Sequence, residues 1–262
     1  MGKLKDKLRK KQLSIGSWMS LGDTSIAEIM AKAGFDWLVI DMEHSAISTE
    51  QCQELIRIVD LCGSSPLVRI GENNPLLIKR AMDAGAHGII VPMVNSRKDA
   101  ENAVSALKYP PSGTRGVGLS RAQGYGTSFN KYKKWLEEES IIIVQIEHIR
   151  AVENIEEIAA VEGIDAFIVG PYDLSGSLGI PGNFEDKKMR RALEKIKRIT
   201  VKTDISAGYH VVPPKPDMVQ EKIREGYTFI AYSVDFLFIG EGCRSGLMEI
   251  QSSQKAHTKK GK

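Results

Sequence analysis

One short phrase recurs four times along this chain, and it limits the fold more than any other feature. A helical stretch ends in a glycine, a couple of residues follow, and a run of apolar, β-prone residues begins. The clearest copies read Ala33-Gly34-Phe35-Asp36-Trp37-Leu38-Val39-Ile40 and Glu162-Gly163-Ile164-Asp165-Ala166-Phe167-Ile168-Val169. Gly85 precedes Ile89-Ile90-Val91, and Gly226 precedes Phe229-Ile230-Ala231, in the same way. Glycine ends a helix in the left-handed conformation without steric penalty. Runs that are apolar throughout belong to parallel strands covered on both faces. Four further strand candidates, at 14–19, 66–70, 141–147 and 205–211, lie between the phrases. Helical periodicity separates them at 25–33, 49–62, 75–84, 96–107 and 186–203. Asp23 or Thr24 can cap the first of these helices, and Ser48 or Thr49 the second. Eight strands alternating with helices in 262 residues predict a single-domain (β/α)8 TIM barrel, with an open doubly wound sheet as the alternative.

Only the segment 109–139 breaks the rhythm. It holds Pro110-Pro111 and glycines at 113, 116, 118, 124 and 126, and reads as a long functional loop ahead of the fifth strand. The net charge of +3 hides an uneven distribution: residues 1–12 carry six basic side chains and one acid, and residues 251–262 carry four lysines and no acid. The body between them is therefore net acidic. We read a basic N-terminal tail at 1–12, a barrel at 13–250 and a basic C-terminal tail at 251–262, both tails being frayed termini and not arms for nucleic acid or anionic lipid. No apolar run approaches the ~20 residues that cross a bilayer. Residues 1–12 lack the apolar core of a secretory signal, and Asp6 sits where a myristoylation signal wants Ser or Thr. Three cysteines, an odd number without metal-like spacing, fit a reducing cytoplasm. Neither a nucleic acid nor a membrane is expected as a partner.

In a barrel of this kind the chemistry stands at the carboxyl ends of the strands. Strand two runs into Asp41-Met42-Glu43-His44, strand three ends at Arg69, strand five runs into Gln145-Ile146-Glu147-His148, and strand six into Gly170-Pro171-Tyr172-Asp173. Glu147 and Asp173 end neighbouring strands, so their carboxylates can converge on a hard divalent cation such as Mg²⁺ or Mn²⁺. An acid–base pair sharing a proton, a salt-bridge network and a glycosidase pair remain open on the residues alone. Arg69 is placed to hold a carboxylate or oxyanion, or to pair with the two acids. His44 follows Asp41 by three residues, and an aspartate that fixes an imidazole makes a general base. Strand alternation turns Glu43 and His148 elsewhere, and His148, His210 and His87 read as structural. No lysine ends a predicted strand, which argues against Schiff-base chemistry. Strand–helix turns carry neither Gly-x-Gly-x-x-Gly nor a P-loop, and the chain has no Gly-x-Ser-x-Gly elbow.

Six motifs in order, Val39-Ile40-Asp41-Met42-Glu43-His44, Pro66-Leu67-Val68-Arg69, Val91-Pro92-Met93-Val94, Pro110-Pro111-Ser112-Gly113-Thr114-Arg115-Gly116-Val117-Gly118, Gln145-Ile146-Glu147 and Gly170-Pro171-Tyr172-Asp173-Leu174-Ser175, resemble the class II pyruvate aldolases of the HpcH/HpaI group. The likeness covers roughly residues 12–250. It implies a (β/α)8 barrel that uses a divalent metal, Mg²⁺ or Mn²⁺ with Co²⁺ as a further option, to cleave 4-hydroxy-2-oxo acids reversibly into pyruvate and an aldehyde. By motif, Glu147 and Asp173 are the implied metal ligands, Arg69 the binder of pyruvate oxygens, and His44 with Asp41 the base dyad. Gln145 is implied to line the pocket, and amides around Gly170–Leu174 to receive the pyruvate carboxylate, with Gly170, Pro171, Asp173 and Leu174 as the implied substrate-binding residues. The resemblance further implies a homohexamer that exchanges its C-terminal helix between barrels, with Asp83 reaching a neighbour's site. Departures from the family pattern are His148, where Thr is usual, the stretch Gly208-Tyr209-His210-Val211-Val212-Pro213-Pro214, and Tyr232-Ser233-Val234-Asp235-Phe236. They bear on substrate identity and spare the catalytic set. The rival readings are an acyl-CoA lyase of the same superfamily, for which the acidic body offers no basic patch, and a non-catalytic binding barrel.

Overall fold

The computed structural model describes residues 3–260. The elements run α1 (Lys3–Arg9), β1 (Ser14–Met19), α2 (Thr24–Lys32), β2 (Trp37–Asp41), α3 (Thr49–Leu61), β3 (Ser65–Arg69), α4 (Pro75–Ala84), β4 (Gly88–Val91), α5 (Arg97–Leu107), α6 (Phe129–Glu138), β5 (Ile141–Ile146), α7 (Ile149–Glu153), α8 (Ile155–Ala159), β6 (Ala166–Val169), α9 (Pro171–Ser177), α10 (Lys187–Lys202), β7 (Ser206–Val211), α11 (Pro216–Arg224), β8 (Phe229–Val234) and α12 (Asp235–Lys260). The eight strands close in sequence order, β1 beside β8, every pair parallel. This is the (β/α)8 barrel that the repeated phrase predicts. Gly34, Gly85, Gly163 and Gly226 all take positive φ, as helix-ending glycines must. Asp23 caps α2, and Ser48 with Gln51 closes a capping box on α3.

Two cores hold the molecule. The larger lies between strands and helices. The smaller fills the barrel interior with Trp37, Val39, Leu67, Ile90, Ile143, Ile168 and Phe229 among others. Trp37 stacks on Phe229 with ring centres 4.2 Å apart. Gly16 and Gly208 make the room: a Cβ on Gly16 would lie 2.0 Å from the Trp37 ring, and one on Gly208 would lie 2.5 Å from the Phe167 carbonyl. Interior residues alternate along each strand. Following that alternation upward from Val39, Leu67 and Ile143 leads to Asp41, Arg69 and Gln145 at the carboxyl end. The interior packing therefore aims those side chains into the barrel mouth.

The structure differs from the sequence-based expectation at three places. Residues 3–9, expected as a frayed tail, form α1 and close the bottom of the barrel. Leu4 and Leu8, four apart on one helix face, are fully buried in the interior core. Lys5 Nζ reaches the Ser140 carbonyl and the Asp165 carboxylate, each at 2.6 Å, and Ser206 Oγ donates to the Leu8 carbonyl at 2.8 Å. The basic residues that made this segment look like a solvated tail cap the ends of neighbouring strands. Second, α12 continues to Lys260, so most of the stretch read as a C-terminal tail is helical backbone; the last two residues lie outside the described set. Third, the segment 109–139 is not wholly loop. Its last third is α6, anchored by buried Tyr132 and Leu136, four apart. Replacing Leu8 with alanine is expected to destabilise the fold by about 2–5 kcal/mol in urea melts. A frayed tail would leave the midpoint unchanged.

Candidate active site

The register of β2 on β3 sets Asp41 beside Arg69. Asp41 Oδ1 accepts from Arg69 Nε at 2.9 Å and Oδ2 from Nη2 at 2.6 Å, a two-pronged charged pair. Asp41 Oδ1 also accepts from the amides of Glu43 and His44. Burial pushes the Asp41 carboxyl up, but Arg69 and the two amides outweigh it and hold it below the ordinary aspartate value. The Asp41–His44 pair expected from their spacing does not form. Asp41 spends its oxygens on Arg69 and the turn, while the His44 ring projects outward, two-thirds exposed, with Nε2 3.8 Å from Glu43 Oε2. The same Glu43 oxygen lies 3.2 Å from Arg69 Nη1. Glu43, expected to face elsewhere, thus stands between the guanidinium and the imidazole. The chain leaves the strand after Asp41, so strict alternation no longer governs where Glu43 points.

Across the mouth, Glu147 is buried, with Oε1 accepting from the Met93 amide at 2.7 Å and Oε2 held by the Gln145 side-chain amide. Met93 adopts φ +52°, a left-handed conformation rare outside glycine, and from it presents that amide. Burial, with Asp173 adding repulsion, lifts the Glu147 carboxyl above the usual glutamate value. Asp173 lies in the first turn of α9 and is exposed. Gly170 passes so close that a Cβ there would sit 3.2 Å from the Glu147 Cβ and 3.3 Å from its Oε2. Pro171 opens α9. The Leu174 amide is spent on the Gly170 carbonyl at 3.0 Å, and its side chain packs into the outer core, so Leu174 anchors α9 and does not face the mouth. Asp83, on α4, is paired within its own protomer to Arg115, 3.6 Å away, and not to any residue of this mouth.

Trp18 and His210, which strand alternation places at the interior positions after Gly16 and Gly208, complete the cleft. Its wall includes Trp18, Arg69, Gln145, Gly170, Asp173 and His210. The Arg69 guanidinium lies 4.4 Å above the Trp18 ring. His148 faces away and caps α7 by accepting from the Arg150 amide.

The donor set is oxygen-rich. Asp41 and Glu43 pair with Arg69, Glu147 and Asp173 have no ion-pair partner among the described residues, and the Gln145 carbonyl oxygen is buried without a hydrogen-bond partner. Among the described residues no three histidine, cysteine, aspartate or glutamate side chains form a metal cluster. A two-carboxylate seat whose other positions go to substrate and water is what Mg²⁺ and Mn²⁺ accept. The residues present fit the cation.

A family model described as HpcH/HpaI aldolase/citrate lyase matches residues 14–239. The chain belongs to this family. It is 36% identical over 260 residues to 2-keto-3-deoxy-L-rhamnonate aldolase of Escherichia coli K12, covering 98% of this chain and 96% of that protein. A crystal structure of an HpcH/HpaI aldolase/citrate lyase family protein from Burkholderia cenocepacia J2315 superposes with a TM-score of 0.91 at 32% identity, covering 96% of this chain and all of that one. The HpcH/HpaI aldolase from Desulfitobacterium hafniense DCB-2 gives 0.88, also at 32% identity, over 95% and 96% of the two chains. This HpcH/HpaI protein is accordingly a carbon–carbon lyase of the aldolase type.

Proposed function

We propose that the barrel mouth cleaves a 4-hydroxy-2-oxo acid reversibly into pyruvate and an aldehyde, with a divalent cation seated by Glu147 and Asp173. The observation that carries this reading is the charge imbalance at the mouth: Asp41 and Glu43 pair with Arg69, while the buried Glu147 and the nearby Asp173 have no ion-pair partner among the described residues. Mg²⁺ or Mn²⁺ suits these oxygen donors, with Co²⁺ a third candidate. When bound, the cation supplies Lewis-acid chemistry, offsetting the negative charge that develops on the 2-oxo acid as its C3–C4 bond breaks.

The remaining work falls to side chains. His44 accepts the proton of the 4-hydroxyl, and the electrons of that O–H bond form the aldehyde carbonyl while the C3–C4 pair passes into the pyruvate enolate. A proton returned to C3 completes pyruvate. Glu43, 3.8 Å from His44, is the carboxylate that orients the ring within the protomer. Asp41 acts one step removed, as a positioning residue that locks the Arg69 fork. Three of the five guanidinium N–H groups face Asp41 and Glu43, which leaves two for the enolate and carboxylate oxygens. The amides at the start of α9, after Gly170 and Pro171, receive the pyruvate carboxylate, and Gln145 offers its free carbonyl oxygen to the pocket.

The working form is a homo-oligomer, a hexamer in this reading. Leu247, Met248 and Ile250 of α12 lie more than half exposed, which supports packing of that helix on another copy. The role proposed for Asp83 is at a neighbour's mouth; within the protomer its Oδ1 lies 3.6 Å from Arg115 Nη1. No described helix is long and apolar enough to cross a membrane, and the setting proposed for the protein is cytoplasmic. Protein stripped with EDTA is expected to release pyruvate from a 2-keto-3-deoxy-sugar acid about 10²-fold more slowly than protein resupplied with Mn²⁺ or Mg²⁺. Lactate dehydrogenase coupling reads the rate. Undiminished release from protein shown metal-free by elemental analysis contradicts the proposal.

A further inference from the structure

A cavity of about 400 Å³ lies outside the barrel, far from the mouth. Its walls are the C-terminal end of α3, the Gly85-Ala86-His87 turn that leads into β4, the short 3-10 turn Arg121–Gln123, and α6. His87 precedes β4, so the cavity sits at the amino ends of the strands, whereas Asp41, Arg69 and Glu147 stand at the carboxyl ends. Its volume is that of a small-molecule site, and no step of the aldol chemistry uses it. We propose that this cavity binds a small phosphate ester, with the phosphate held by Arg121 and Lys131 and the apolar body of the ligand lying against Trp135.

Among the described residues the single carboxylate on the wall is Asp60, and it is already engaged. Asp60 Oδ1 lies 3.2 Å from His87 Nε2, and Oδ2 accepts from Arg121 Nη2 at 3.1 Å. The His87 bond, with Arg121, holds the Asp60 carboxyl below the ordinary aspartate value. The cations keep donors in reserve. Arg121 gives two of its five N–H groups, one to Asp60 and one to the Ala84 carbonyl at 3.1 Å, and leaves three. Gly85 makes room for this guanidinium. It takes φ +101°, and a Cβ there would lie 2.2 Å from Arg121 Nη1. Lys131 is exposed on α6 and has no ion-pair partner among the described residues. Ser128, which precedes α6 and lines the same cavity, makes no side-chain capping bond. A guanidinium fork, an ammonium and a hydroxyl together suit the three terminal oxygens of a phosphate; a carboxylate has only two, in one plane. Beside them Trp135 stacks on Tyr132 with ring centres 5.5 Å apart, and its ring lies 5.7 Å from that of His87. This aromatic wall gives an apolar ligand body a surface to cover.

The test titrates phenyl phosphate, inorganic phosphate and benzoate into the full-length protein, supplied with Mg²⁺, by isothermal calorimetry. Phenyl phosphate is expected to bind with a Kd of about 1 mM or lower, more tightly than inorganic phosphate or benzoate. Lys131→Gln is expected to raise that Kd about tenfold, the worth of one charge-assisted hydrogen bond. Lys131 is exposed, so this variant keeps its fold, and circular dichroism checks it. Trp135→Leu is expected to weaken phenyl phosphate and to leave inorganic phosphate unchanged, and the ratio of the two affinities cancels any general loss of folding. Absence of saturable binding by phenyl phosphate overturns the proposal. So does a Kd that moves less than twofold in Lys131→Gln, which would put the ligand elsewhere, the barrel mouth included. Benzoate bound as tightly as phenyl phosphate overturns the assignment to phosphate, and an unchanged ratio in Trp135→Leu overturns the placing of the ligand body. None of these readings depends on turnover, so they stand or fall apart from the aldolase reading.

Discussion

Arg69→Lys is expected to lower kcat/KM for pyruvate release by a factor of about 10²–10³, the usual cost of removing one preorganised donor to a developing oxyanion. Lysine keeps the charge but not the planar fork. Arg69 is held by two bonds to Asp41 and one ion pair to Glu43, and it rests on the Trp18 ring. An ammonium group can match one of those partners, not the set, and its position over the enolate oxygens is lost. Circular dichroism and a urea melt of the same preparation separate this loss from unfolding. Near wild-type turnover in a folded Arg69→Lys protein would remove Arg69 from the chemistry.

The second large effect is at Glu147. Glu147→Ala removes one of only two carboxylates in the proposed seat, so Mn²⁺ titrated into the purified variant is expected to show no stoichiometric binding, and pyruvate release to fall to background. Removal of a ligand also frees the Met93 amide and the Gln145 side-chain amide, which now hold the carboxylate. Glu147→Gln controls for that, since it keeps shape and one acceptor oxygen but not the charge. If the charge is what matters, both variants lose the metal. Stoichiometric Mn²⁺ in Glu147→Ala would move the seat elsewhere in the mouth.

The eight strands were legible because each signal was local: four follow a glycine that ends a helix, and the other four are apolar runs between helical patterns. Asp41, Arg69, Gln145 and Glu147 were legible for a related reason, since polar residues directly after such runs have no place in a covered sheet. What escaped the sequence depends on geometry across the barrel. Asp41 sits three residues before His44, yet pairing register gives it to Arg69 on the next strand. Glu43 turns inward because the chain has left the strand, and Met93 contributes through its backbone, which no residue type announces. Trp18 and His210 did carry a signal. They share parity with Gly16 and Gly208, the two glycines that admit large rings to the interior. Residues 3–9 looked like a solvated tail because their charge outweighed Leu4 and Leu8, two leucines one helical turn apart.

The proposed chemistry makes and quenches a pyruvate enolate under metal control, so EDTA-stripped protein is mixed with pyruvate alone in D₂O and the methyl protons are followed by NMR with and without Mn²⁺ or Mg²⁺. The prediction is metal-dependent loss of the methyl signal, abolished in His44→Ala. Stoichiometrically bound metal with no exchange above the protein-free rate would contradict it.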